Sequence, residues 1–143
     1  MLKTLLNALD RISPPSVAHA HCDIPCGIYN IHAAATAAET VRVMTEKMLA
    51  LPQDKLATHE NRNTFMRMVL VKEQHAQLCK DELQMLWSDY FKFEHLEELP
   101  DLHETIWKGV KLCSTVKREV NLDAAKELEA LVVQVGKMME AVK

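Results

Sequence analysis

Three residues that bind metals and carry redox chemistry lie within six positions near the start of the chain. The stretch His-Cys-Asp-Ile-Pro-Cys-Gly begins at His21 and holds Cys22 and Cys26. Pro25 is disfavoured inside a helix and Gly27 tolerates unusual backbone angles, so the segment is expected to form a turn. A structural zinc site takes four side-chain ligands, and only three are local here. The pattern therefore disfavours zinc.

The available donors change if the chain is cut between Ala20 and His21. The α-amine of His21, the amide nitrogen of Cys22 and the two thiolates then offer two nitrogens and two sulfurs in one plane, through five-membered chelate rings. Square-planar N/S ligation suits Ni(II) or Cu(II), and the His21 imidazole is placed to reach an axial position. The three residues before the cut, Ala-His-Ala, have the small-x-small form of a peptidase site.

Residues 1–20 are therefore predicted to be a removable leader. Apolar residues recur at helical spacing from Leu2 to Ile12, which predicts a short amphipathic helix ending before Pro14. A secretory signal needs an unbroken apolar run of about 7–15 residues, and polar residues such as Lys3 interrupt this one. The leader is not expected to be an export signal, and the expected location is cytoplasmic. The alternative is a helix and Pro-rich linker that both persist.

Composition predicts one soluble, all-α domain. The chain has 143 residues, of which 48% are hydrophobic and only three are glycine, and this argues against a β-sandwich or barrel. Net charge is −3, with no basic cluster interleaved with aromatic residues, so nucleic acid is not an expected partner. No apolar run approaches the roughly 18–20 residues that span a bilayer, so no membrane partner is expected. Four scattered cysteines do not make a disulfide scaffold.

Residues 31–143 are predicted to form an antiparallel four-helix bundle, with residues 21–30 as a metal-binding hook at its N-terminal end. Amphipathic patterns with short connections bury their apolar stripes most simply in this way. The predicted helices run from His32 to about Leu51, from between residues 53 and 63 to about Tyr90, from near Asp101, and from an N-cap at Asn121. Asp54 or Thr58 are the candidate caps of the second.

The hook resembles one known family. The pattern His21-Cys22-x-x-Pro25-Cys26-Gly27-x-Tyr29 resembles the nickel hook of nickel superoxide dismutases, as do residues 86–92 and 100–103, so the resemblance covers the chain from His21 onward. It implies a precursor whose extension a peptidase removes, one nickel ion per subunit, and a homohexamer. The implied reaction disproportionates superoxide to dioxygen and hydrogen peroxide by cycling Ni(II) and Ni(III). A non-catalytic nickel- or copper-binding protein and a purely structural bundle are the alternatives.

The resemblance also implies roles for individual residues. The implied metal ligands are His21, Cys22 and Cys26. Tyr29 and Tyr90 would line the approach of superoxide, and Asp23 would fix the hook.

Superoxide is an anion, and the mature chain is more acidic than the precursor. The leader carries Lys3 and Arg11 against Asp10, so its removal changes the net charge from −3 to −4. Attraction of superoxide must therefore be local. Lys92 is the candidate for that role, and a solvated surface lysine is the alternative.

Two positions depart from some members of that family. Ala37 stands where a glutamate behind the axial histidine is expected, and His75 stands where an arginine is expected. His75 is a candidate to orient the His21 imidazole, or else a surface histidine. Cys79 and Cys113 are predicted to be core thiols. Solvent or capping roles are expected for three further histidines, His59, His95 and His103.

Overall fold

The computed structural model describes residues 28–143, which form an all-α structure. The leader and the hook through Gly27 lie outside the described residues. Five α-helices are present in the described part: α1 His32–Ala50, α2 His59–Met85, α3 His95–Glu98, α4 Leu102–Arg118 and α5 Leu122–Ala141. A 3-10 helix, Gln53–Ala57, lies between α1 and α2, and a π-helical turn, Leu86–Tyr90, extends α2.

Local sequence signals set the ends of the helices. Pro52 forces Leu51 into an extended conformation (ψ 118°), which ends α1. Of the two candidate caps for α2, Thr58 is the one used: its side chain accepts the backbone N–H of Asn61 at 3.2 Å. The predicted cap of α5 is confirmed, because Asn121 accepts the backbone N–H of the third residue on, at 3.0 Å.

The four long helices form an antiparallel bundle, as predicted. α2 packs against α1 and α4, and α5 packs against α4 and α1. Between α2 and α4, Lys80 Nζ donates to Ser114 Oγ at 3.2 Å and Trp87 Nε1 donates to His103 Nδ1 at 2.7 Å. Residue numbers rise along α2 as they fall along α4, so the two helices run in opposite directions.

The core is filled by small and branched side chains. The alanines of α1 that face inward are fully buried, which lets its neighbours approach closely. At Gly109 three helices meet: a Cβ there would lie 2.7 Å from Leu131 Cδ2 and 2.9 Å from Leu83 Cδ1. The main buried side chains are Val41, Leu83, Leu86, Leu102, Val116, Leu128, Val132 and Val135.

A buried lysine caps the C-terminal end of α4. Lys72 on α2 is 2% exposed, and its ammonium donates to the backbone carbonyls of Val116, Lys117 (3.0 Å) and Glu119 (3.0 Å). These are carbonyls at the helix C-terminus, where intrahelical donors run out and positive charge is favourable. Burial lowers the pKa of Lys72, and the charge of Glu73 opposes that shift.

No helix of residues 28–143 combines the length and apolar character needed to cross a bilayer.

Candidate functional site

Two tyrosines meet where the described chain begins. The ring centroids of Tyr29 and Tyr90 lie 5.9 Å apart, with the rings tilted by 56°. Tyr29 belongs to the predicted hook segment, residues 21–30, whereas Tyr90 ends the π turn 61 residues later. The tertiary structure therefore brings together two of the predicted site residues, at the end of the bundle where α1 begins.

The π turn positions Tyr90. The backbone N–H of Phe91 donates to Leu86 O at 3.1 Å, a bond that spans five residues in place of four. The side chains of Leu86 and Phe91, at the two ends of this bond, are both buried in the core. Single π turns inserted in α-helices are frequent at functional sites. Here the turn ends α2 with the ring of Tyr90 directed at Tyr29.

Tyr90 is anchored at both ends of its side chain. Its hydroxyl donates to the backbone carbonyl of Met139, in the last turn of α5, at 3.1 Å. Its ring centroid lies 5.0 Å from that of Phe91 and 6.4 Å from that of His95. Because the hydroxyl proton is used by Met139, the oxygen faces any further partner as an acceptor.

His95 completes this aromatic group, which sequence reasoning missed. Its Nδ1 accepts the backbone N–H of Lys92 at 3.2 Å, a capping role of the kind predicted. The ring of Phe91 meets that of His95 edge-on at 6.2 Å. The signal available in the sequence is the spacing of aromatic and histidine residues through positions 87–95. We call Tyr29, Tyr90, Phe91 and His95 the aromatic cluster.

Lys92 lies beside the cluster on the surface. Its ammonium is 3.5 Å from a carboxylate oxygen of Glu94, and both side chains are about seven-tenths exposed (69% and 72%). An exposed pair of this kind contributes little to stability, so the ammonium can exchange Glu94 for another anion. Residues 86–101 carry five carboxylates and this single lysine. Lys92 is therefore the local cation in an acidic stretch.

The two downstream segments that carry the family resemblance, residues 86–92 and 100–103, meet beside one surface cavity. Trp87 and His103 are joined by their hydrogen bond and by an edge-on ring contact at 5.8 Å. Together with Phe93 and Lys92 they border a largely apolar cavity of about 340 Å³. Phe93 is 93% exposed and Trp87 is half exposed, so this end of the bundle presents two exposed aromatic side chains near the aromatic cluster.

The structure separates His75 and Ala37 from the aromatic cluster. His75 precedes Tyr90 by fifteen residues, which is about 22 Å along the axis of the helix. Its Nδ1 donates to Val71 O, one turn earlier on the same helix, at 2.9 Å. Ala37 is fully buried in the core, and its methyl group offers no polar atom in place of a glutamate carboxylate.

The metal-ligating residues predicted from the sequence, His21, Cys22 and Cys26, lie outside the described residues, as does Asp23. Within residues 28–143, no group of three or more His, Cys, Asp or Glu side chains is arranged to hold a metal ion. Imidazole and thiolate donors in a short segment fit a late transition metal such as nickel.

Comparison with known proteins also indicates nickel as the metal. The family model described as "Nickel-containing superoxide dismutase" matches residues 16–143. The chain is 35% identical over 131 residues to "Superoxide dismutase [Ni]" of Streptomyces seoulensis, covering 91% of this chain and 94% of that protein. It is 38% identical over 110 residues to the protein of the same name from Streptomyces coelicolor, covering 76% and 78%.

Solved structures of nickel superoxide dismutases resemble the fold of this chain. A Ni-containing superoxide dismutase with nickel ligation corresponding to the oxidised state superposes with a TM-score of 0.75 at 34% identity, covering 85% of this chain and 97% of that one. A native nickel superoxide dismutase superposes with a TM-score of 0.73 at 32% identity, covering 86% of this chain and 100% of that one.

Proposed function

This chain belongs to the nickel-containing superoxide dismutase family, and we propose that His21, Cys22 and Cys26 hold its nickel ion beside the Tyr29–Tyr90 pair. The protein is an oxidoreductase that converts superoxide to dioxygen and hydrogen peroxide, with nickel as its cofactor. The placement of the site is carried by the 5.9 Å approach of the two tyrosine rings at the root of the hook.

The proposed donors fit the chemistry. When bound, nickel supplies a Ni(II)/Ni(III) couple that accepts an electron from one superoxide and returns one to the next, and thiolate donation brings that couple within range. The two proposed thiolate ligands, Cys22 and Cys26, both lie in the hook. Asp23, between them, is proposed to fix the fold of the hook.

The α-amine of His21 completes the donor set only after cleavage between Ala20 and His21. The Ala-His-Ala sequence directly before His21, which has the small-x-small form of a peptidase site, supports this step.

Tyr29 and Tyr90 are proposed to line the path of superoxide. The aromatic rings restrict the opening to small species, and the anchored hydroxyl of Tyr90 accepts a hydrogen bond from water or from a protonated product. Lys92 is proposed as the nearby cation that raises the local concentration of the anionic substrate. It offsets part of the negative charge of its own stretch.

The apolar surface around Phe93 and Trp87 is proposed to be covered by a second copy of the chain. Phe93 is 93% exposed and Trp87 is half exposed beside the 340 Å³ cavity, and large apolar patches mark association surfaces. A homohexamer, as the resemblance implies, would shield the hooks at such contacts. We also propose a cytoplasmic location and a peptidase that removes the leader.

The deciding experiment compares three chains loaded with nickel: the full 143 residues, a chain that begins at His21, and a matched chain that begins at Ala20. The last keeps every hook side chain but moves the free amine by one residue. We expect rapid superoxide loss only from the chain beginning at His21. Full activity with the leader intact would refute the role of the amine. If the chain that begins at His21 binds one nickel ion per subunit but does not remove superoxide, the result would instead indicate a metal-storage protein.

A further inference from the structure

Two cysteines outside the hook face each other in the middle of the bundle. Cys79 lies on α2 and Cys113 on α4, and their side chains are 0% and 1% exposed. Both are free thiols. Neither belongs to the proposed nickel site, so their pairing needs a separate account.

Neighbouring contacts fix the register of the two thiols. Lys117 Nζ donates to Gln77 Oε1 at 3.1 Å, and the Lys80–Ser114 hydrogen bond lies on the other side. In this antiparallel register Cys79 falls opposite Cys113. Cys113 lies close enough to Cys79 to be the main cause of the raised pKa of the Cys79 thiol. Alanine and glycine at the neighbouring inward positions of the two helices, residues 76 and 109, allow the backbones to approach closely.

The two cysteines differ in their surroundings, because only Cys113, although 1% exposed, borders a surface cavity. Cys113 lines an open cavity of about 420 Å³ on the α2–α4 face. Four cationic side chains also line it: Lys80, Lys111, Lys117 and Arg118. No carboxylate lines the cavity, and none of the four cations forms an ion pair within the described residues. Two carboxylates of α2 lie near this region: Asp81 accepts a hydrogen bond from Gln77, and the negative charge of Glu82 contributes to the raised pKa of the Cys79 thiol.

We propose that Cys79 and Cys113 form a reversible disulfide between α2 and α4, with the hydrogen peroxide that this enzyme produces as the oxidant. Cys113 reacts first, because it lines the cavity and because the four cations stabilise the negative charge that develops on its sulfur. Hydrogen bonding to Cys113 and burial raise the pKa of the Cys79 thiol, which keeps Cys79 protonated at this stage.

The reaction balances with one peroxide. The Cys113 sulfur attacks one peroxide oxygen, the O–O bond breaks, and hydroxide leaves with the thiol proton as water, giving a sulfenic acid. The Cys79 sulfur then attacks the Cys113 sulfur, the S–O bond breaks, and hydroxide leaves with the Cys79 proton as a second water. Two thiols lose two electrons in total, and one peroxide becomes two waters.

Peptide mapping of the nickel-loaded protein tests the inference. Hydrogen peroxide is added directly, so the outcome does not depend on turnover, and the protein is then digested with trypsin without reductant. We expect the peptide of residues 73–80 joined to that of residues 112–117, two hydrogens lighter than the separate pair and released by reductant. The hook cysteines fall in a different peptide. Peroxide-treated protein in which both thiols stay free, or oxidise without joining, overturns the proposal.

The order of reaction is tested with two alanine variants. In Cys79→Ala, Cys113 should be captured as a sulfenic acid by a dimedone probe, whereas in Cys113→Ala the remaining Cys79 should stay unlabelled. Equal labelling of both would contradict the assigned order. Lys117→Gln should slow oxidation several-fold, whereas Lys137→Gln, a lysine on α5 away from the cavity, should not. If an alanine variant fails to fold, the mapping of the unmodified chain still decides the main point.

Discussion

Removing the hydroxyl of Tyr90 separates its anchoring role from a role in holding nickel. Tyr90→Phe deletes one hydrogen bond, the 3.1 Å bond to the carbonyl of Met139, and retains the ring contacts with Tyr29 and Phe91. The carbonyl lies in the last turn of α5, where it can turn to water, so the loss is an ordinary one of about 1 kcal/mol. For a chain of this size that is a fall in Tm of about 3–4 °C.

Tyr90→Leu removes the ring as well. The contacts with Tyr29, Phe91 and His95 are each worth about 0.5–1.5 kcal/mol beyond burial. The total loss is therefore expected to reach about 3 kcal/mol, including the hydrogen bond. Trp107→Leu, which changes an exposed aromatic residue on α4, serves as the control and should leave the Tm nearly unchanged.

The assay measures Tm, nickel content and superoxide loss on the chain that begins at His21. We expect Tyr90→Phe to keep one nickel per subunit with reduced superoxide loss, because the proposed ligands lie in the hook. Tyr90→Leu should also lose nickel, since the root of the hook loses its packing. Complete loss of nickel from Tyr90→Phe would refute the reasoning, because the hydroxyl alone would then hold the metal site. An unchanged Tm in Tyr90→Phe would refute the anchoring bond.

Further predictions concern the hook, the buried lysine and the surface cation. Cys22→Ser or Cys26→Ser should abolish superoxide loss while circular dichroism retains its helical signal; loss of helicity would instead show that the bundle depends on the hook. Lys72→Met should lower the free energy of unfolding by about 2–4 kcal/mol, because buried carbonyls at the end of α4 lose their donor. The free energy of unfolding of both variants is measured by denaturant titration. Lys111→Met, an exposed change on α4, is the control and should leave that free energy nearly unchanged. Because burial lowers the pKa of Lys72, the unfolded chain binds that proton more tightly than the folded chain. The deficit of Lys72→Met should therefore widen as pH rises toward the ordinary lysine value of 10.5, and a narrowing deficit would contradict that direction. Lys92→Gln should lower the superoxide rate constant a few-fold and weaken its dependence on salt; an unchanged rate constant at low salt would leave Lys92 as a surface lysine.

Helix ends were predictable because their causes are local. Pro52 ends α1 through a steric clash with the preceding residue, and Asn121 begins α5 through a bond that spans three residues. The local sequence did not decide whether Asp54 or Thr58 caps the N-terminus of α2. The 3-10 helix takes up Asp54, and only the packing of that segment leaves Thr58 as the cap.

The π turn and the buried Lys72 had no usable signal in the sequence. A π turn arises where tertiary contacts, here the burial of Leu86 and Phe91, outweigh the regular helical bond. Lysine is rarely buried, so the sequence alone predicts Lys72 at the surface. Only the packing of α4 against α2 places backbone carbonyls within hydrogen-bonding distance of its ammonium.

The sequence by itself determined the donor chemistry. Histidine, two thiols and a small-x-small site before them are properties of neighbouring residues, and they indicated square-planar Ni(II) or Cu(II) without reference to any fold. The tertiary structure alone decided which distant residues meet, because those contacts depend on how helices pack. Tyr29 meets Tyr90 across 61 residues, and Cys79 faces Cys113 across two antiparallel helices. No periodicity within one helix encodes its partner's register, which is set by the fit of many side chains at once.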